Sequence, residues 1–218
     1  KVYLVEEIMS AAIGARLPVA SASGSMLINL GGGKTEIAVI SLHGVVISKT
    51  LEIAGDELNK NIIQYARDHF NLLIGEKIAE NIKIKAGSAF QMTESVSVEM
   101  RGRDLVSGLP REIIVTDQQI RDALASSVNT IIDAIKSVLE VTPPELVADI
   151  YERGLVLCGA GAQLYGIDQA IAKFAEIPVR IADDPTTCTI RGVSILLDDD
   201  KLLNEILLPS ANEEKMVR

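Results

Sequence analysis

Three apolar, β-branched segments stand in close succession, "MLINL" at Met26–Leu30, "TEIAVISL" at Thr35–Leu42 and "VVISKTLEIA" at Val45–Ala54. Only "GGGK" and "HG" separate them. Connections that short cannot carry a crossover, so the three must be antiparallel neighbours. This meander is the strongest constraint on the fold. Its first turn, in "NLGGGKTE", ends in Gly-Lys-Thr like a Walker A loop, but Ile28 stands where that motif needs its first glycine, and a strand follows where it needs a helix. Three glycines between strands still expose backbone N–H groups in a tight turn, another way to hold a phosphate.

The rest of the chain alternates helix and strand. Lys1–Glu6 reads as a short buried strand and Glu7–Arg16 as a helix stopped by Pro18, followed by the polar linker "ASASGS". Apolar Leu58, Ile62, Ile63, Ala66 and Phe70 at helical spacing predict a helix over Glu57–Asn71, and "GEKIAENIKIK" (Gly75–Lys85) predicts a second, with Glu80 and Lys83 on one face. Strands and turns return over Ser95–Thr116. Thr116 or Asp117 then caps a helix over Gln118–Leu139, which Pro143-Pro144 ends. "GLVLC" (Gly154–Cys158) is an apolar strand running into "GAGAQL", a small-residue turn expected to open a helix whose N-terminus offers partial positive charge. "IPVRIA" repeats the pattern before a helix in "DDPTTCTIRGVSILLDD", for which Asp184 is a possible cap. The residues after Asp200 read as a loose acidic tail.

With 218 residues and 48% hydrophobic content the chain can bury a real core, as one large or two small domains. At 3% aromatic content with no Trp, that core must be aliphatic, and stacking platforms for single-stranded nucleic acid are improbable. A net charge of -9 likewise argues against nucleic acid and against a polybasic membrane anchor. Cys158 and Cys188 lack metal-ligand spacing and read as small buried hydrophobes in a reducing cytoplasm. No apolar run approaches a membrane span, and no signal peptide is visible. Starting at Lys1, without methionine and inside an apparent strand, the chain reads as a fragment.

Each glycine turn alone, Gly31–Gly33 or Gly159–Gly161, reads better as a structural turn than as a ligand site. Their pairing with the Glu80/Lys83 helix is more specific. Together with "AAIGA", "LGGGKTEIAVISLHGVV", "AGDELNKNIIQY", "NLLIGEKIAENIKI", "GRDLVSGLP", "TPPELVADI", "RGLVLCGAGAQLYGID" and "IADDPTT", that order resembles the actin-like ATPase superfamily and, within it, the MreB family. The resemblance runs from Val2 to about Leu197. It implies an α/β, actin-like (ribonuclease H-like) ATPase lobe, a mixed sheet flanked by helices with a smaller inserted α+β subdomain. It implies boundaries of 1–24 for the end of a first lobe and crossover helix, 25–56 and 117–183 for the second-lobe core, 57–116 for the inserted subdomain, 184–200 for a returning helix, and 201–218 for an acidic flexible tail. Most of a first lobe, with the metal-coordinating aspartate and the membrane-contacting loop, would precede Lys1, so no metal ligand is expected within this chain.

By the same resemblance, Gly31, Gly32 and Gly33 would grip the β- and γ-phosphates of ATP accompanied by Mg²⁺. Glu80 and Lys83 would meet ribose and adenine, and Gly159, Ala160, Gly161 and Ala162 would form the adenosine motif, Ala160 being tolerable there only without positive φ. Glu7 would orient the attacking water, its neighbour Glu6 being the weaker candidate. Asn29 stands where the family has an aspartate, Lys34 where it has a threonine, and Asn59 where "GDxxD" has its second aspartate; Ile8 replaces a proline. Losing a carboxylate weakens organisation of metal-bound water, while an added ammonium favours the polyanion. These changes, which resemble those of catalytically altered paralogues, imply nucleotide binding with attenuated ATP hydrolysis; ordinary hydrolysis is the alternative.

For function, the resemblance implies self-association into filaments that control cell shape, in the cytoplasm at the inner face of the cell membrane. A transmembrane morphogenetic partner would contact this lobe, and the membrane would be reached through the absent one. A sugar-kinase-like or Hsp70-like reading competes, because those proteins share the clamp. The first would need an acceptor pocket with a base and the second a substrate domain, and neither is evident.

Overall fold

Strand β1 (Ser25–Leu30) is buried at every position, which a strand achieves only with partners on both edges and cover on both faces. The computed structural model, which describes residues 2–208, supplies all four. One edge pairs antiparallel with β2 (Thr35–Ser41), the other parallel with β7 (Leu155–Cys158). β3 (Gly44–Leu51) extends the sheet beyond β2 and β8 (Val179–Ile181) beyond β7, giving the order β3-β2-β1-β7-β8. The meander is therefore as the turn lengths require, and the sheet is mixed.

Side-chain alternation decides which residues face which layer. Met26, Ile28 and Leu30 join Ile37, Val39, Leu155 and Leu157 in a core with α4 (Asp117–Val141), α2 (Gly55–Phe70) and α6 (Ile167–Ala175). Leu27 joins Ala38, Ile40, Val156 and Cys158 in a second core under α1 (Glu7–Gly14) and α7 (Cys188–Asp198). In that second layer a Cβ at Gly14 or at Gly192 would overlap the backbone of the opposite helix, so α1 and α7 pack backbone to backbone. Both cysteines are free and buried.

A smaller antiparallel sheet, β4 (Leu72–Leu73), β5 (Ser97–Asp104) and β6 (Pro110–Thr116), packs with α2 and α3 (Glu76–Ala86). The long α4 leaves it through a capping box, in which the Thr116 hydroxyl accepts from the Gln119 amide while the Gln119 side chain accepts from the Thr116 amide. Among the described residues no helix is long and apolar enough to cross a membrane.

Five local expectations change. Residues 2–6 form no strand: no neighbouring strand pairs with them among the described residues, and Val2 and Leu4 are exposed. Pro143-Pro144 ends α4 but also starts a helix, α5 (Pro144–Arg153), because proline at N1 loses no helical hydrogen bond. The turn at Gly159 opens a 3-10 turn, Ala160–Gln163, and α6 begins only at Ile167. Asp184 does not cap α7; its carboxylate takes the hydroxyls of Thr186 and Thr187 and shapes the preceding 3-10 turn. The start of the expected loose tail is helix α8 (Asp200–Ile206), capped by Asp199 and anchored by buried Leu203 and Ile206. The remainder of that tail lies outside the described residues.

Thr116→Ala removes the cap acceptor and should lower stability by about 1 kcal/mol in urea titration. In the β5–β6 turn, the amide of Ser107 and the guanidinium of Arg111 hold the Asp104 carboxyl down at about 2. Because the folded-state value is depressed, its contribution is present above the ordinary aspartate range and is lost as pH falls through about 2. A carbon-detected titration should place the Asp104 midpoint there, and Arg111→Gln should move it upward.

Candidate functional site

The β1–β2 turn is closed by the Gly31 amide donating to the Lys34 carbonyl at 3.0 Å. Its carbonyls are tied to the start of α2, the Gly55 amide donating to Gly31 at 3.2 Å and the Asp56 amide to Gly32 at 2.9 Å. Among the described residues the amides of Gly32 and Gly33 then have no protein acceptor. Nothing lies within 4 Å of a Cβ built at Gly32, which opens onto the cleft. Free N–H groups beside a helix N-terminus that has no side-chain cap are suited to an anion.

That turn forms one wall of a cleft of about 490 Å³, within the range of small-molecule sites. The opposite walls are Glu80 and Lys83 on α3 and Ala160 and Gly161 after β7, with Leu164 and Tyr165 nearby. Glu80 and Lys83 are ion-paired at 2.8 Å, and the Lys83 ammonium also donates to the Gly55 carbonyl at 2.9 Å. The Glu80 Oε2 additionally accepts from Asn59 Nδ2 at 2.6 Å. The Lys83 hydrogen bond, supported by Asn59 and opposed by burial, holds the Glu80 carboxyl below the ordinary glutamate range. Asn59 Oδ1 is buried without a partner.

A second polar group lies on the α1 side of the sheet. Asn29 shares the alternation of Leu27 and so faces α1; across the ladder it is paired with Glu36 on β2 and with Cys158 on β7. The Cys158 thiol, which burial keeps protonated, donates to Asn29 Oδ1 at 3.6 Å. Asn29 Nδ2 donates to Glu7 Oε1 at 3.4 Å. Lys34 reaches back between two carboxylates, 2.9 Å from Glu7 Oε2 and 2.9 Å from Glu36 Oε1. Hydrogen bonds to Glu36 and then Glu7 raise its pKa above the ordinary lysine value, so it stays charged.

The residues singled out in the sequence thus fall into two groups and a support. Gly31, Gly32, Glu80, Lys83, Ala160 and Gly161 line the cleft, and Gly33 sits beside Asp56. Glu7, Asn29 and Lys34 meet one another. Asn59 is apart from them, bound to Glu80. Ala162 is buried, and Gly159, at φ +83°, lies where a Cβ would overlap the Leu30 carbonyl, which makes it a packing hinge between the β1 and β7 turns. Ala160 has no positive φ, which meets the condition its departure from glycine required. Sequence reasoning missed Glu36, whose place follows from hairpin register and strand parity, and Asp56 at the head of α2. Tyr165 had no signal, since a bridge between Ser88 and Tyr165 brings it to the cleft. Among the described residues no group of three or more His, Cys, Asp or Glu side chains could hold a metal.

A mixed sheet whose two glycine turns flank one cleft, with a small antiparallel sheet inserted after the meander, defines an actin-like α/β lobe. The chain belongs to the MreB/Mbl protein family, whose model matches residues 1–205. It is 46% identical over 202 residues to the cell shape-determining protein Mbl of Bacillus subtilis, which covers 92% of this chain and 61% of that protein. Against the cell shape-determining protein MreB of Escherichia coli, identity is 47% over 192 residues, with 88% of this chain and 55% of that protein covered. The crystal structure of MreB5 of Spiroplasma citri bound to ADP matches with a TM-score of 0.88 at 35% identity, over 92% of this chain and 60% of that one. The double helical filament of MamK, at 22% identity and a TM-score of 0.71 over 89% of this chain and 59% of that one, shares the fold. The chain therefore spans between half and two thirds of the length of these relatives.

Gly159→Ala should destabilise the lobe by roughly 1–3 kcal/mol, the cost of a side chain in a forbidden backbone region. Ala160→Gly should cost less than about 1 kcal/mol. Urea midpoints of the two variants check the contrast.

Proposed function

We propose that this chain is the nucleotide-gripping lobe of an actin-like cytoskeletal protein that binds ATP with Mg²⁺, polymerises, and determines cell shape at the inner face of the cell membrane. The observation that carries the reading is the glycine turn, which forms a wall of the cleft of about 490 Å³ and in which, among the described residues, the Gly32 and Gly33 amides have no protein acceptor. Gly32 and Gly33 would donate to phosphate oxygens. Glu80, whose Oε1 makes no hydrogen bond among the described residues, would accept from a ribose hydroxyl, and Lys83 would flank the base. The named relatives support the cell-shape reading, the fold shared with the MamK filament is consistent with polymerisation, and the structure of MreB5 bound to AMPPNP supports nucleotide as the ligand. Membrane contact and a transmembrane partner remain part of the proposal through family membership.

Hydrolysis is proposed to be attenuated. When bound, Mg²⁺-ATP supplies the γ-phosphoryl group and the charge that orders its waters. Glu7 is the group that would orient the attacking water. Here one of its oxygens is held by the Lys34 ammonium and the other by the Asn29 amide. A carboxylate so engaged has fewer free lone pairs to offer a water. Neutral Asn29 adds no negative charge to organise a metal's water shell, whereas Lys34 adds positive charge that favours a polyanion. Binding is favoured over turnover, and turnover depends on positioning and transition-state electrostatics.

Lys34→Thr in the protein encoded by the complete reading frame should raise phosphate release by about tenfold or more, in the range of a restored general base. A wild-type turnover equal to that of ordinary family members would overturn attenuation. Since the lysine pKa is raised rather than lowered, the wild-type rate should gain nothing from alkalinity up to about pH 10. Electron microscopy with and without ATP tests polymerisation, and absence of filaments under both conditions would favour the kinase-like or chaperone-like reading.

A further inference from the structure

At the end of α1 remote from Glu7, three arginines converge on a small concavity. Arg16 follows α1, Arg180 belongs to β8 and Arg191 to α7, and with Gly14, Ala15 and Asp183 they enclose about 210 Å³. The chain as a whole is acidic, at -9, so this local excess runs against its composition.

The arginines differ in role. Arg191 is fixed: its guanidinium donates to the carbonyls of Gly14, Asp183 and Asp184 and to the Thr187 hydroxyl. Those acceptors are neutral, and the nearest carboxylate oxygen, Asp184 Oδ2, is 3.7 Å away. That long, exposed ion pair compensates its charge only in part. Arg16 and Arg180 are exposed at the rim and, among the described residues, have neither an ion-pair partner nor a side-chain hydrogen bond. Asp183 is the one carboxylate in the lining, and with Asp184 paired to Arg191 the local excess is one positive charge. Arg16 also sits at φ +59°, the left-handed residue that ends α1, its amide donating to the Ile13 carbonyl and that of Leu17 to the Ala12 carbonyl.

We infer that this concavity is a second anion site, for a phosphate group, distinct from the glycine cleft. Arg16 and Arg180 grip the oxygens with planar two-pronged donors, while Arg191 supplies fixed positive charge beneath them. The space suits a phosphate or phosphomonoester head and is too small for a nucleotide. The phosphate group could come from free phosphate or from a lipid headgroup, and both present the same chemistry here.

The test is a titration of the isotope-labelled full chain with inorganic phosphate, chloride balancing ionic strength. Saturable amide shifts are expected at Gly14, Ala15 and Asp183, separate from any response at Gly32 and Gly33. Arg16→Gln and Arg180→Gln should each weaken phosphate at this site by about fivefold or more, as loss of charge-assisted hydrogen bonds dictates, while ADP binding is unchanged. Arg16→Gly should lower phosphate affinity yet raise the urea midpoint by relieving the backbone; a purely structural arginine would lower both. Flotation with phosphatidylglycerol vesicles against neutral vesicles identifies the source: arginine-dependent flotation assigns the lipid, and free phosphate binding without it assigns the soluble anion. Non-saturating shifts, or affinity unaffected by both glutamine substitutions, would overturn the inference.

Discussion

Complete burial of β1 between an antiparallel and a parallel neighbour is the constraint on which the structure depends. Because each alternate residue of this strand faces a different layer, one strand serves two chemistries. Ile28 and Leu30 anchor the layer that contains α4, while Asn29 between them faces α1 and Glu7. The strand ends in the glycine turn, so the same element that organises the core also aims free N–H groups at the cleft. A one-residue slip in register would exchange Asn29 with its apolar neighbours and lose both.

The two polar groups at the end of the sheet are linked through structure rather than sequence proximity. On the cleft side, one carboxylate oxygen of Glu80 is shared by Lys83 and Asn59, and Lys83 reaches the carbonyl of Gly55 at the head of α2. That head in turn binds the glycine turn through Gly55 and Asp56. On the α1 side, the row Cys158, Asn29 and Glu36 runs across three strands, and Lys34 joins Glu36 to Glu7. The glycine turn lies between the two groups.

Much of the site could be read in advance because it is local. The triple glycine between strands, the Glu80/Lys83 pair three residues apart, and the Thr116 cap depend on spacing within a turn of helix or a hairpin. Glu36 was equally within reach, since a four-residue turn fixes its pairing with Asn29, but it required carrying strand parity across the turn. Pro144 shows the opposite limit: a proline pair marks a boundary without telling whether it ends one helix or begins another.

The sequence by itself determined the meander, the helices with strong apolar periodicity and the glycine turns, because each rests on short-range sterics and hydrophobic spacing, and its motifs carried the resemblance to the family. Only the tertiary structure decided that Lys34 is held between Glu7 and Glu36, that Asn59 supports Glu80 instead of joining Asn29, and that Arg16, Arg180 and Arg191 meet. Each of these meetings joins at least two different elements of the fold. The Lys34 contacts depend on which face of the sheet each side chain occupies, the Asn59 contact on how α2 packs against α3, and the arginine cluster on the close approach of α1 and α7 at Gly14 and Gly192.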